Sequence, residues 1–511
     1  MGAALRWPGL PAHGRAAGES GLTDTRWRLY SPMRLTLIKS LIPGSTGWMS
    51  RGVCRGSWQA ARVASIAIGL TVTVALVAQP AEPPAPGTEA TLIASPEPGW
   101  PQWRGPRRDG RSTETGLKSE WPEAGPPRVW QVAGLGRGYS APIVVEDRLF
   151  LAGDHEAELR IHALDLDGRT RWSAANGRSW RTPYPGARAA CAYSEGRLYH
   201  LNAHGRLTCL EADTGAEVWA VELFERFGGR NITWALSEGV LVDGDRVIAT
   251  PGGTRALMVA LDKRTGETVW TTEPLRLGPS PSAAHQRLAE PDGDTDNASY
   301  ASPVLFRLGT QRQLVSCSSR HVFGVDADTG RLVWTRPFPT VHQVIAATPV
   351  VIGDSVFVTA PNTPQGGVRF RFLEGNRGPA VETVWNTPLD TCQGGVVLVG
   401  DSLFGSWYRK QKGWACVDVR TGEVRYSLDD LAKGSILYAD GRLYCLSEEG
   451  EMALLEPGLD RFTVRGRFRL VPGRVNDVWT HPVIHAGRLF LRHHETLFAF
   501  DVRSPATVAS P

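Results

Sequence analysis

The chain has 511 residues, 42% hydrophobic and 21% charged, with 56 Gly, 36 Pro and 18 Trp, and more Trp than Phe (15) or Tyr (10). That balance can bury a large core and excludes collagen, a coiled coil, a disulfide miniprotein and a multi-span membrane protein; Gly and Trp in excess without helical periodicity point to an all-β architecture. The formal charge of +4 conceals an asymmetry: residues 1–79 carry nine Lys/Arg against two acids, the remainder 47 against 50, so the body is mildly acidic and a nucleic-acid partner is disfavoured.

The first element is VASIAIGLTVTVALVA, residues 63–78, flanked by Arg51, Arg55 and Arg62 before it and Pro80, Pro83, Pro84 and Pro86 after it. A basic flank, an apolar run and a Pro-rich exit make an export signal. At sixteen residues the run is shorter than the roughly 20 a membrane span needs, and cutting after Ala78 would leave Leu76 where a small residue is wanted. A cleaved signal is preferred to a single uncleaved N-terminal anchor; both put the body outside the cytoplasm. Met49 opens an ordinary basic leader, so 1–48 reads as an over-extended start and 49–79 as the signal or anchor. Residues 80–99 read as an unfolded Pro-rich linker. Residues 100–127 read as an extension packing on the body, and 504–511 as a tail.

The body repeats itself. An apolar strand ending in an acid, then Thr-Gly, then a strand closing on an aromatic recurs as ALDLDGRTRW, CLEADTGAEVW, ALDKRTGETVW, GVDADTGRLVW and CVDVRTGEVRY. The closing aromatics are Trp130, Trp172, Trp219, Trp270, Trp334, Trp385, Tyr426 and Phe468, separated on average by about 48 residues. That period suits one four-stranded propeller blade per repeat. A second landmark, a tight turn with an apolar strand after it, recurs in YSEGRLYHL, LVDGDRVIAT, YADGRLYCL and IHAGRLFLR; alternation such as R-L-Y-C-L predicts a half-buried strand. The acid and Thr of D-x-x-T-G hydrogen-bond the turn, Gly takes a left-handed dihedral, and the tryptophans pack structurally between blades. Eight closing strands predict an all-β, eight-bladed β-propeller of four-stranded antiparallel blades. The first closing strand lacks inner strands and the last inner strands lack a closing one, so an N-terminal strand, 128–133, is expected to close the last blade against 497–502.

Most catalytic templates fail. HExxH, a P-loop and G-x-S-x-G are absent from the sequence. His493 and His494, adjacent on a strand, are expected to face opposite ways; His481 and His485 are expected to share a strand face, a better-placed metal pair, but the preferred reading is that no metal is bound. Asp292, Asp294 and Asp296 in PDGDTDN (291–297) mimic the opening of a calcium loop without its Gly and Glu, so a solvated insertion is preferred. The six body cysteines read as small buried hydrophobes; Cys392–Cys416 and Cys191–Cys209 are the candidate disulfides.

These repeats resemble the pyrroloquinoline-quinone (PQQ)-like β-propeller family, which includes quinoprotein alcohol dehydrogenases and the outer-membrane-barrel assembly lipoprotein; the resemblance covers about 128–503. WPQWRGPRRDG (100–110), GLGRGYSAP (134–142), CQGGVVLVGDSLFG (392–405) and KGSILYADGRLYC (433–445) are similar to exported planctomycete-type propellers. The dehydrogenases imply adjacent cysteines over a quinone, Glu/Asn/Asp around Ca²⁺ and in some cases a CxxCH haem module. Neither adjacent cysteines nor CxxCH occurs here, and no cysteine follows the apolar run closely enough for lipoprotein attachment.

Inner strands converge on the axis of a propeller, so residues just ahead of each inner strand should ring one channel mouth. The repeat nominates Tyr139, Arg188, Tyr300, Ala346, Gln393, Lys433 and Trp479, with Trp234 and Ser237 competing in the third blade. Aromatics with Arg, Lys and Gln could grip a flat anion, against the plainer reading that they fill a tapering pore. The expected function is an exported, non-catalytic binding or scaffold module of the cell envelope, monomeric, with an envelope protein or a small funnel ligand as partner, no cofactor and no catalytic residue. The alternative is a PQQ-dependent alcohol or sugar dehydrogenase using PQQ with calcium, with Glu238 as its base; carbohydrate binding by the aromatic mouth is a third reading.

Overall fold

The computed structural model describes residues 89–276, 295–373, 380–473 and 475–505. The chain divides into two units, 1–79 and 80–511, and all described residues lie in the second. The apolar run 63–78, the leader boundaries, most of PDGDTDN and the end of the tail lie outside the described residues. Among the described residues no helix is long and apolar enough to cross a membrane.

The second unit is an eight-bladed β-propeller of antiparallel blades. Blade 1 is Ile143–Val145, Arg148–His155, Glu158–Asp165 and Thr170–Arg178 from axis to rim, and each later blade repeats that order. Blade 8 takes its three inner strands, Val483–His485, Arg488–His493 and Thr496–Asp501, from the end of the chain and its rim strand, Arg128–Val132, from near the beginning. Trp130 pairs with Ala499 and Val132 with Leu497, so an early strand and the last strand of the propeller latch the ring together.

Second strands do not alternate as the R-L-Y-C-L pattern predicted. In Arg442–Ser447 every residue after Arg442 is buried, because each blade is covered on both faces by its neighbours. Alternation survives on the rim strands, for example Glu217–Glu222.

The repeat motif is a docking joint between blades. Asp262 Oδ1 accepts the N–H of Arg264 (2.8 Å) and Thr265 (3.0 Å), and Asp326 Oδ1 accepts those of Asp328 (3.1 Å) and Thr329 (2.9 Å). The turn then presents a backbone carbonyl to the preceding blade, where the rim tryptophan donates to it. Trp172 bonds Ala212 O (3.0 Å), Trp219 bonds Lys263 O (3.1 Å), Trp270 bonds Ala327 O (3.2 Å), Trp385 bonds Val419 O (2.9 Å) and Trp130 bonds Leu166 O (2.7 Å). The indole rests on the Thr-Gly glycine: a Cβ on Gly330 would stand 2.5 Å from the Trp270 ring, and its φ is +75°, so size and dihedral both select Gly. A β-bulge just ahead of each rim tryptophan and of Tyr426 aims it at the joint, whereas in blade 7 the bulge precedes Gly466 and not Phe468. Trp334 is the exception: its Nε1 has no partner among the described residues, and the facing part of blade 5 includes 374–379, outside them.

The Pro-rich stretch is structured where it is described. Instead of an unfolded linker up to residue 99, Ala90–Leu92 forms a fifth strand on the axial edge of blade 4, Ala90 opposite Leu308. An unpaired inner edge lining a channel is a template, and this short apolar segment completes it. The chain then crosses the channel. Trp100 bridges Val144 of blade 1, Pro101 O accepts from Tyr193 of blade 2, Trp103 donates to Thr348 beside blade 5, and Arg111 bridges Tyr438 of blade 7. Arg104 donates to Val396 O of blade 6 (2.6 Å) and Arg108 to Gly239 O (2.5 Å) and Val240 O (3.0 Å) of blade 3. Glu114 accepts the N–H of Ala486 and Gly487 on blade 8. Residues 90–114 thus touch all eight blades and close one end of the channel.

Candidate functional site

Among the described residues the other end is open. A cavity of about 330 Å³ lies over Trp103, the tryptophan that caps the crossing segment. Tyr139, Arg188, Ser237, Ala346 and Trp479 line it, and each stands four residues ahead of a three-residue inner strand starting at Ile143, Ala192, Leu241, Val350 or Val483. This assigns the third-blade register to Ser237; Trp234 reaches the same cavity from the loop before it. Tyr300 and Gln393 also line it. Lys433 does not: its Nζ pairs with Glu448 at 2.6 Å and lies 5.0 Å from the Tyr408 ring, which covers it.

The repeat could not reveal Tyr184, His342, Asn362, Tyr408 and Arg409, which also line the cavity. They come from loops between blades or between second and third strands, where one blade does not copy another. Trp103 was equally hidden, since it belongs to the crossing segment.

The aromatics form two walls. On one side Tyr139 and Trp479 lie 4.9 Å apart at 31°, with Tyr184 5.2 Å from Trp479. On the other, Trp234 stands 6.1 Å from Tyr300 and 6.4 Å from His342. Arg188 joins the walls: its guanidinium donates to Trp234 O (2.8 Å), Pro183 O (3.1 Å), Tyr184 O (2.6 Å) and Gly186 O, and lies 5.7 Å from the Tyr139 ring. Four carbonyls fix it without neutralising it. Burial lowers its pKa to about 10, so it stays charged near neutrality. Arg409 is held from behind: Asp390 accepts the N–H of Tyr408 (2.9 Å), Arg409 (2.9 Å) and Lys410 (3.0 Å), while the guanidinium lies 5.7 Å from the Tyr408 ring and forms no ion pair among the described residues. Burial also raises the hydroxyl pKa of Tyr300 and of Tyr408 to about 12.

No carboxylate lines the cavity among the described residues. Glu238 follows Ser237 but points away, accepting from the N–H (2.9 Å) and hydroxyl (3.3 Å) of Thr250. Burial raises its pKa to about 8, against the pull of Arg108.

Other candidates resolve differently from expectation. His481 and His485 are not a metal pair: His481 precedes the strand, its Nε2 donates to Gln393 O (2.8 Å), its Nδ1 faces Arg104, and its ring lies 4.5 Å from Trp103. His493 and His494 do not face opposite ways; both reach Asp477, because His494 occupies a turn at φ +47° and leaves the alternation of the strand. All six described cysteines are free and buried, so neither candidate disulfide forms; Cys392 alone among them lines the cavity. Asp296 is buried against Ser318, Ser319 and His321 rather than solvated, while Asp292 and Asp294 lie outside the described residues.

The protein is 27% identical over 270 residues to the quinoprotein ethanol dehydrogenase of Pseudomonas aeruginosa, a match covering 47% of this chain and 40% of that one. It is 25% identical over 272 residues, with the same shares, to the 1-butanol dehydrogenase (quinone) of Thauera butanivorans. The chain therefore matches less than half the length of these curated relatives. In fold it is similar to the quinohemoprotein alcohol dehydrogenase of Comamonas testosteroni, with a TM-score of 0.51, 13% identity, and 81% of this chain and 82% of that one covered. The family profile described as outer membrane protein assembly factor BamB matches residues 157–428, just over half of the chain, and the protein belongs to that family of PQQ-like β-propellers.

Proposed function

We propose that the protein is an exported, non-catalytic binding module of the cell envelope whose funnel holds a planar, anionic aromatic ligand. The lining carries the proposal: two aromatic walls, two arginines and no carboxylate among the described residues. A flat ring can enter between Tyr139–Trp479 and Trp234–Tyr300, where each aromatic contact contributes about 0.5–1.5 kcal/mol beyond area burial. Arg188 and Arg409 supply the positive field for its acidic groups. The carbonyls fixing Arg188 were satisfied at folding, so this charge is positioned before any ligand arrives. The basic-apolar leader and the outer-membrane wording of the family description support an envelope location, where a protein partner on the outer faces is a second binding mode.

PQQ is itself a planar tricarboxylate, and the walls and arginines suit it. Its usual companion, a calcium ion, does not fit: a hard cation needs several oxygen ligands, commonly carboxylates, and the cavity lining offers neutral side chains such as Ser237, Asn362 and Gln393 together with two guanidinium groups. The dehydrogenase alternative would also need a base in the cavity, and Glu238 faces elsewhere. When bound, PQQ would supply two-electron redox chemistry; the residues of this chain stack on it and balance its charge.

The test is equilibrium dialysis of PQQ against the full chain in chelator, followed by intrinsic fluorescence. Saturable binding weakened at least about tenfold in Arg409→Gln and Trp479→Ala supports the reading. Absence of saturable binding at millimolar PQQ overturns it. Dye reduction by alcohols with PQQ and Ca²⁺ present would instead establish the dehydrogenase.

A further inference from the structure

Beside the funnel stands a second constellation that the binding reading does not use. His493 ends the second strand of blade 8, His494 opens the following hairpin turn, and Asp477 lies on the loop leading to Trp479. His494 Nε2 is 2.8 Å from Asp477 Oδ2 and His493 Nε2 is 3.4 Å from Asp477 Oδ1. The three ligand atoms all lie within 4.8 Å of one another. The two imidazoles are 4.5 Å apart between centroids, and all three side chains are only part-exposed, at 19%, 17% and 24%.

We propose that Asp477, His493 and His494 form a binding site for a divalent cation of the zinc class, on the rim of the funnel. Two imidazole nitrogens and one carboxylate are the donor set that borderline metals prefer, whereas calcium and magnesium prefer oxygen alone. Zinc bonds to nitrogen and oxygen of about 2.0–2.2 Å put ligand atoms about 3.4 Å apart in a tetrahedron. The present separations bracket that figure, and the longest contracts by at most about 1.4 Å, within reach of an imidazole rotation. In the metal-free state the same atoms are held together by the histidine–carboxylate hydrogen bonds, so the site is largely assembled in advance.

The hairpin turn holds His494 at φ +47°, as the matching turn of blade 1 holds Glu156 at +42°, and this turn geometry takes the His494 ring out of strand alternation and brings it beside its neighbour. His494 Nδ1 is buried without a hydrogen-bond partner among the described residues, so Nε2 is the nitrogen that the ring presents to Asp477 and to a metal. One cation opposes the site: Arg137, whose guanidinium is 3.8 Å from Asp477 Oδ2. That side chain is 49% exposed, so a metal can displace it into solvent. Three protein ligands leave at least one coordination position open. The site abuts the funnel wall, with the Tyr139 ring 5.5 Å from His494.

The experiment is calorimetric titration of Zn²⁺ alone into the chelator-stripped full chain near pH 7.5. The expected result is one saturable site, weakened at least about 30-fold in Asp477→Asn and in His493→Gln and unchanged in His485→Gln. Metal-free melting temperatures verify that each variant is folded. Co²⁺ substitution of the unmodified chain supplies a second readout: visible d–d bands of a nitrogen-coordinated ion, lost on adding Zn²⁺. Absence of a stoichiometric site in the unmodified chain, or undiminished affinity in folded Asp477→Asn, overturns the proposal.

Discussion

The two ends of the central channel are built from the same eight inner strands and meet opposite fates. At one end residues 90–114 occupy the axis, and Arg104 and Arg108 spend their guanidinium groups on backbone carbonyls of blades 6 and 3. At the other end Arg188 is likewise fixed by carbonyls, yet its neighbours are aromatic rings facing an open cavity. Buried arginine thus seals the ring in one place and prepares a charged surface in the other. What separates them is whether a further segment of chain is available to fill the taper.

This contrast can be broken experimentally. The largest effect is expected from removing 128–133, which unlatches blade 8 and should abolish the single cooperative unfolding transition seen by calorimetry. A chain without it that melts like the parent would show that the ring does not depend on its seam. Next comes the plugged end. Arg108→Ala leaves Gln102 Oε1 and the carbonyls of Gly239 and Val240 in the interior without their donor, so urea unfolding should show a loss of about 3–5 kcal/mol. Trp270→Ala removes a rim joint, with a cost of about 3–5 kcal/mol expected by the same measurement.

A smaller effect follows from Glu238 itself. Burial first, only partly offset by Arg108, raises its folded-state pKa to about 8 from an ordinary value of 4.5. The folded protein therefore holds a proton that the unfolded chain releases, and the stabilising contribution is full below 4.5 and lost as pH rises toward 8. Melting curves should show the unmodified protein losing ground to Glu238→Gln across that window; parallel curves would contradict the assignment. The smallest stability effect belongs to the open end: Arg409→Gln, exposed and without an ion pair among the described residues, should change stability by less than about 0.5 kcal/mol while weakening ligand binding.

The repeats made the blades legible because each must solve the same problem. D-x-x-T-G caps its own turn and offers a carbonyl to the previous tryptophan, so Trp219 and Lys263, 44 residues apart, are tied by a rule visible in one dimension. The same periodicity located Tyr139, Arg188 and Trp479, since a residue ahead of an inner strand has only the axis to face. It placed Lys433 there too, and could not see that Glu448, on the same blade, would claim its charge. His493 and His494 looked divergent by strand alternation, and only the hairpin dihedral at His494 turned both to Asp477. The segment Ala90–Leu92 looked too rich in proline and polar neighbours to fold, because the edge that receives it lies more than 200 residues away, on Val304–Leu308.

What the amino-acid order determined by itself was everything local and recurrent: blade number, turn chemistry, the aromatic joints and the seam. These rest on short-range hydrogen bonding and on packing that every blade shares. Only the folded ring decided which charges stay unpaired, which mouth is filled and which loops meet across it. Those outcomes depend on groups far apart in the chain converging on one axis, where burial and the scarcity of space, rather than sequence neighbours, select their partners.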